Sequence, residues 1–102
     1  MSKSQYKSSR ESIHSEYQSA AEACEPLKAN AKDICMAEAK GKKKVSLAEL
    51  TASYKPTSKS RYGVRIARAE ADYAVAKEKC ATLEAGAKDS CVADAKTHYG
   101  KS

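Results

Sequence analysis

Four cysteines are the residues of this chain whose type and spacing best suit chemistry. Ten residues separate Cys24 from Cys35, and ten separate Cys80 from Cys91. Thiols in such pairs can close a disulfide, hold a metal ion or exchange electrons with a substrate. Structural zinc sites usually draw ligands from close knuckles, two to four residues apart, and a ten-residue gap lacks that preorganisation. The spacing therefore favours disulfides at Cys24, Cys35, Cys80 and Cys91 over a zinc site, and paired structural cysteines imply an oxidising compartment.

The other reactive types are poorly placed for catalysis. His14 and His98 do not correspond to each other, and the serines lie mostly in the polar N-terminus and a central linker. No glycine-rich phosphate loop, nucleophile elbow or paired-carboxylate motif is present. The reading is a non-enzymatic protein with no cofactor and no resident metal. Charge says more. The chain carries a net charge of +6, and nine of its lysines and arginines lie between positions 39 and 69 against a single acid, Glu49. Lys42, Lys43, Lys44, Arg61, Arg65 and Arg68 are the candidate anion-binding residues, because a positive pole attracts phosphate-rich surfaces over about a Debye length, ~8 Å at physiological salt. The alternative is a solvated charged face that keeps the protein soluble. No helix-turn-helix or RNA-binding motif accompanies the charge.

The elements that hold these residues come from a duplication. Tyr17–Lys40 reads YQSAAEACEPLKANAKDICMAEAK and Tyr73–Lys96 reads YAVAKEKCATLEAGAKDSCVADAK. Tyr6 and Tyr62 share the same 56-residue offset, so the units run over 5–46 and 61–102. Tyr62, Ile66, Ala69, Tyr73, Ala76, Cys80 and Leu83 alternate in steps of four and three, a heptad seam on an amphipathic helix. Its counterpart is Tyr6, Arg10, Ile13, Tyr17, Ala20, Cys24 and Leu27, interrupted by Arg10. The tyrosines on this seam are read as core residues with their hydroxyls at the edge of the packing.

A turn falls between the cysteines of each unit. Pro26 disfavours helical geometry in the residue before it, and Asn30 and Gly86 at equivalent positions tolerate positive φ. Each unit then reads helix, turn, helix, with the cysteine pair closing the hairpin as Cys24–Cys35 and Cys80–Cys91. On one unbroken helix the two cysteines of a unit would stand about 16 Å apart along the axis, which would leave only cross-unit bridges. The second helix is expected over 31–54, with a weak point at 41–46 where Ser46 and Glu49 resemble a capping box. Residues 55–60 form the linker, with Ser58 or Ser60 available to cap the third helix.

Composition explains why such staples are needed. Of 102 residues nineteen are alanine, only eleven are Leu, Ile or Val, and Phe and Trp are absent. That is the composition of a chain near disorder, and small domains with poor cores need cross-links to stay folded. Closing a loop of about twelve residues contributes roughly 3 kcal/mol in the chain-entropy account. The expected fold is all-α: a single domain over 1–102, with two disulfide-closed helical hairpins packed as a pseudo-twofold four-helix bundle. Both disulfide tips then point one way. Lys3, Lys7 and Lys101 join the basic stretch at the other end. No apolar run is long enough to span a membrane.

The repeated pattern Tyr-x6-Cys-x2-Leu-x3-Ala-Lys-Asp-x-Cys-x-Ala-Glu/Asp-Ala-Lys resembles a group of small, Ala- and Lys-rich exported proteins of Gram-negative bacteria. The likeness covers about Tyr6–Lys44 and Tyr62–Tyr99. It implies export to an envelope or secreted location and no activity. The paired cysteines, in a chain without a signal peptide, add the expectation of a mature periplasmic or secreted protein whose signal peptide has been removed. The expected function is that of a structural or interaction module of the envelope, whose exposed helices would also make it an antigen. Its partner would be a protein or another envelope component. The second expectation is an anion-binding module that docks its basic pole on lipopolysaccharide, anionic lipid or nucleic acid.

Overall fold

A computed structural model of the chain describes residues 1–99; Lys101, assigned above to the basic end, lies outside them. The described residues form four helices: α1 (Lys3–Cys24), α2 (Ala29–Tyr54), α3 (Ser58–Cys80) and α4 (Ala85–His98). The fold is all-α, with both hairpins closed as Cys24–Cys35 and Cys80–Cys91.

Local chemistry sets most of the boundaries. Ser2 caps α1 through a reciprocal pair: Gln5 N–H donates to Ser2 Oγ, and Ser2 N–H donates to Gln5 Oε1. The same device opens α3, but the cap is Thr57, not Ser58 or Ser60; the Ser60 hydroxyl is its reciprocal partner. Each capping pair satisfies two N–H groups that the first helical turn leaves free. Pro26 follows the end of α1, and Pro56 stands between α2 and the Thr57 cap. The one non-glycine residue with positive φ among those described is Ala29, at 54°. The turn therefore reverses one residue before Asn30, whose side chain serves elsewhere. α2 passes through 41–46 without a break, as one helix of 26 residues; Ser46 does not start a new one.

The four helices pack only as chain neighbours, α1 on α2, α2 on α3 and α3 on α4. They form an open bundle, a row one helix thick, measuring 50 × 35 × 9 Å over Cα atoms. In outline the hairpins flank the central seam as a twofold would place them, α2 facing α3 and the disulfide tips at one end. The helices that correspond in the repeat are α1 with α3 and α2 with α4, so the central seam joins non-equivalent helices. α2 is accordingly packed on two opposite sides, and it is the longest helix.

The central seam is made of small residues. Gly41 lies so close to α3 that a Cβ placed on it would sit 2.9 Å from the Ala71 Cβ. Ala67 and Ala71 are buried beside it. Opposite this stripe, about half a turn round α2, Ala39 and Leu50 are buried towards α1, and Tyr54 stacks on Tyr6 with ring centroids 4.5 Å apart. A helix with two opposed apolar stripes keeps both remaining faces for charge, which is how so lysine-rich a segment can occupy the middle of a fold. Asn30 ties the hairpins together at the disulfide end, its Nδ2 donating to the Glu78 carbonyl at 2.8 Å. That carbonyl belongs to the last turn of α3 and also accepts from the Ala81 N–H at 3.1 Å.

The heptad seam holds for α1 and only in part for α3. Ile13, Tyr17 and Ala20 are half-buried and Cys24 is fully buried. On α3, Cys80 is buried and Tyr73 and Ala76 are half-buried, but Tyr62 is 59% exposed and Ile66 39%. Leu27 and Leu83, at the ends of the two seams, are exposed as well. The reason on α3 is length. α4 has 14 residues and ends at His98, the repeat position of Lys42, so no described element stands where residues 43–54 of α2 stand beside α1.

Candidate functional site

The cysteines are structural in this arrangement. All four are bonded, no free thiol remains, and Cys24 and Cys80 are fully buried at the two hairpin tips. Disulfides of this kind persist in oxidising compartments. Among the described residues no group of three or more His, Cys, Asp or Glu side chains gathers to hold a metal ion. None of the helices is long and apolar enough to cross a membrane.

The six candidate anion-binding residues do not form one site. Lys42, Lys43 and Lys44 are consecutive on α2, so their side chains leave the axis about 100° apart. Lys42 lines an open groove on one face of the row, shared with Glu38, Glu49, Arg68 and Asp72. Lys43 turns towards α1, where its Nζ stands 4.8 Å from the centre of the Tyr17 ring and 3.4 Å from His14 Nδ1. Lys44 points to the opposite face and pairs with Glu70 at 2.8 Å. Arg68 pairs with Glu49 at 2.6 Å. Every partner of the two ion pairs is more than a third exposed, the setting in which such pairs contribute only about 0.2–1 kcal/mol.

What the fold does bring together is a stripe on α3. Arg61, Arg65 and Arg68 are spaced four and three residues apart and share one side of the helix, the side whose groove also holds Lys42. Arg61 and Arg65 are exposed, and Arg61 Nε reaches back to the Thr57 carbonyl at 3.4 Å. Next to this stripe runs the uncovered part of the seam, Tyr62 and Ile66, leading up to the half-buried Ala69 and Tyr73. The outer edge of α3 is therefore apolar along its centre and basic along one flank. It occupies the column that α4 fills higher up, where Ala95 is buried against α3 and Cys91 joins Cys80.

Sequence reasoning found every residue of this edge but placed Tyr62 and Ile66 in the core. The signal that would have separated them is the second small-residue stripe on α3, Gly63, Ala67, Ala71 and Ala74, at helical spacing and opposite the seam. A helix with two stripes must place one of them against each neighbour. Here the middle of the small stripe, Ala67 and Ala71, takes α2, and the heptad seam is left for α4 as far as α4 reaches.

Comparison with protein-family models, with curated proteins and with solved structures finds no match to this chain.

Proposed function

We propose that the protein is a non-enzymatic interaction module, exported to the envelope of a Gram-negative bacterium or secreted from it. It would act as a cross-linked helical scaffold that holds part of its surface out to another macromolecule. The observation that carries this reading is the outer edge of α3, where Tyr62 and Ile66 remain exposed on a helix braced by α2 and by the Cys80–Cys91 bridge. Large apolar side chains lined up on a rigid helix suit recognition, since a preorganised surface loses little freedom on binding. The paired cysteines support the oxidising location, and the resemblance of the repeat to exported proteins supports the envelope.

The test is a photo-crosslinking scan in the cells that make the protein. A photoreactive residue is placed in turn at Ser15 on α1, Thr51 on α2 and Ile66 on α3. The fractionated cells are then searched for adducts, and the mass of the recovered protein is measured. The reading expects a discrete heterologous adduct from at least one position, outside the cytoplasm, with the four cysteine protons missing. A reduced cytoplasmic protein without adducts at any position would overturn it.

A second reading is favoured by the Arg61–Arg65–Arg68 stripe: docking on an anionic surface such as lipopolysaccharide, anionic lipid or nucleic acid. Glu49 and Glu70 oppose it by occupying Arg68 and Lys44. Titration against anionic vesicles and duplex DNA at two salt concentrations decides it. Absence of salt-sensitive binding to either removes it.

A further inference from the structure

We propose that the outer edge of α3, from Tyr62 to Tyr73, receives an amphipathic helix of a partner protein, antiparallel to α3 and acidic in its last turns. The inference rests on the interaction-module reading and names the surface and the chemistry of the partner.

The geometry of the occupant follows from the repeat. Tyr6, Ile13 and Tyr17 of α1 are the counterparts of Tyr62, Ala69 and Tyr73, and they are covered by the second half of α2. There Tyr54 stacks on Tyr6, Leu50 is buried, and Lys43 stands over Tyr17. The molecule thus contains one filled example of the seam that α3 presents empty among the described residues. The empty seam also continues an existing interface, because α4 already packs on α3 in the same column and stops at His98. A helix standing below α4 would extend that interface by about 16 Å, the axial length of eleven residues.

Charge selects among occupants. Arg61 and Arg65 flank the seam over the first two turns of α3, where α1 carries the uncharged Gln5 and Ser9 at equivalent positions. An antiparallel helix meets these arginines with its last turns, so carboxylates there would be complementary, and basic residues would be repelled. A second copy of this chain fits poorly. Pairing two α3 edges antiparallel about Ile66 brings Arg61, Arg65 and Arg68 of one copy along the same flank of the other. The outer face of α1, the other free edge of the row, is polar: Ser4, Ser8, Glu11, Ser15 and Glu22. A membrane surface fits poorly too, because one isoleucine and one tyrosine make a small apolar face for interfacial insertion.

The probe is a fluorescein-labelled peptide of residues 40–55, acetylated and amidated, with Ser46 and Ser53 replaced by glutamate beside the native Glu49, three positions on the flank that Ser46 shares with Glu16 in the filled seam. The control peptide carries lysine at those three positions. Binding to the intact, oxidised protein is followed by fluorescence anisotropy. The glutamate peptide should bind at least fivefold tighter than the lysine peptide at low salt, with the gap closing at high salt. Ile66→Asp should weaken it tenfold or more, and Arg61→Glu with Arg65→Glu should remove the preference for glutamate. The same substitution at Ser15, on the far edge, should change nothing. Binding that ignores Ile66→Asp, equal affinity for both peptides, or no binding up to millimolar peptide would overturn the proposal. So would sedimentation showing a dimer that Ile66→Asp dissolves, or vesicle binding by that edge in place of peptide binding. Crosslinks at Ser15 or Thr51 but not at Ile66 would leave the interaction module standing and place its partner elsewhere.

Discussion

Gly41→Ala tests the central seam directly. A Cβ at position 41 would lie 2.9 Å from the Ala71 Cβ, 3.5 Å from its Cα and 3.7 Å from its carbonyl oxygen. Carbon atoms in favourable contact stand about 3.5–4.0 Å apart, so the new methyl overlaps its neighbour by at least half an ångström or so. Neither alanine has a rotamer to change, and relief must come from moving α2 away from α3. α2 is held from the other side by α1 through the Cys24–Cys35 bridge and the Tyr6–Tyr54 stack. Overpacking of this kind costs about 1–3 kcal/mol, and replacing glycine by alanine inside a helix returns about 1 kcal/mol. The net expectation is a loss of about 1 kcal/mol. For a domain of this size that is a fall in Tm of roughly 4–8 °C. Gly63→Ala is the matched control, since a Cβ there meets nothing within 4 Å; it should stabilise by up to about 1 kcal/mol. Ala71→Gly in the Gly41→Ala background removes the overlapping carbon. The double mutant should show a favourable coupling, within the range of about 0.5–3 kcal/mol seen for residues in contact. Thermal and urea unfolding followed by far-UV circular dichroism, without reductant, measures the wild type, Gly41→Ala, Gly63→Ala, Ala71→Gly and the double mutant. If Gly41→Ala proves as stable as Gly63→Ala, the close approach of α2 and α3 is refuted.

Other perturbations separate the parts of the row. Replacing Cys80 and Cys91 by serine should release α4, whose only buried residue is Ala95 and whose 14 residues are marginal as an isolated helix. About a sixth of the helical signal should disappear while α2 and α3 stay packed; a loss of all helicity would contradict this. Asn30→Ala removes the hydrogen bond to the Glu78 carbonyl and should destabilise by roughly 0.5–1.5 kcal/mol, read as a lower urea midpoint. Asn30→Ala unfolding at the wild-type midpoint would show that the hairpin tips are held by the central seam alone. Glu49→Gln frees Arg68 from its partner and leaves stability within about 1 kcal/mol. If the arginine stripe docks anions, retention on a heparin column should rise with this change, and unchanged retention would count against that reading.

The parts legible in the sequence were those written locally and written twice. The cysteine spacing, Pro26 and the repeat identified two hairpins and their bridges, because a turn and a cross-link involve residues close in the chain. The continuous second helix could also be read from its apolar periodicity. What escaped was the choice of faces. Tyr62 and Tyr6 carry the same residue at the same place in the repeat, yet one is exposed and the other is stacked on Tyr54. The seam itself does not distinguish them, since the difference lies in whether a neighbouring helix is long enough to reach. The lysine run was misleading for a similar reason. Its acids, Glu70 on α3 and Glu38 one turn earlier on α2, lie outside the 39–69 stretch in sequence but beside it in space.

By itself, then, the sequence determined an all-α chain of two cross-linked hairpins, since helix periodicity, caps and short-range disulfides are properties of neighbouring residues. Only the tertiary structure decided that the hairpins lie in a row one helix thick, joined by Gly41 against Ala71. Small residues permit that approach without dictating which helix supplies the partner, so the outcome depends on all four helices competing for the same stripes. That same competition leaves Tyr62 and Ile66 uncovered at the edge of α3, beside the exposed Arg61 and Arg65.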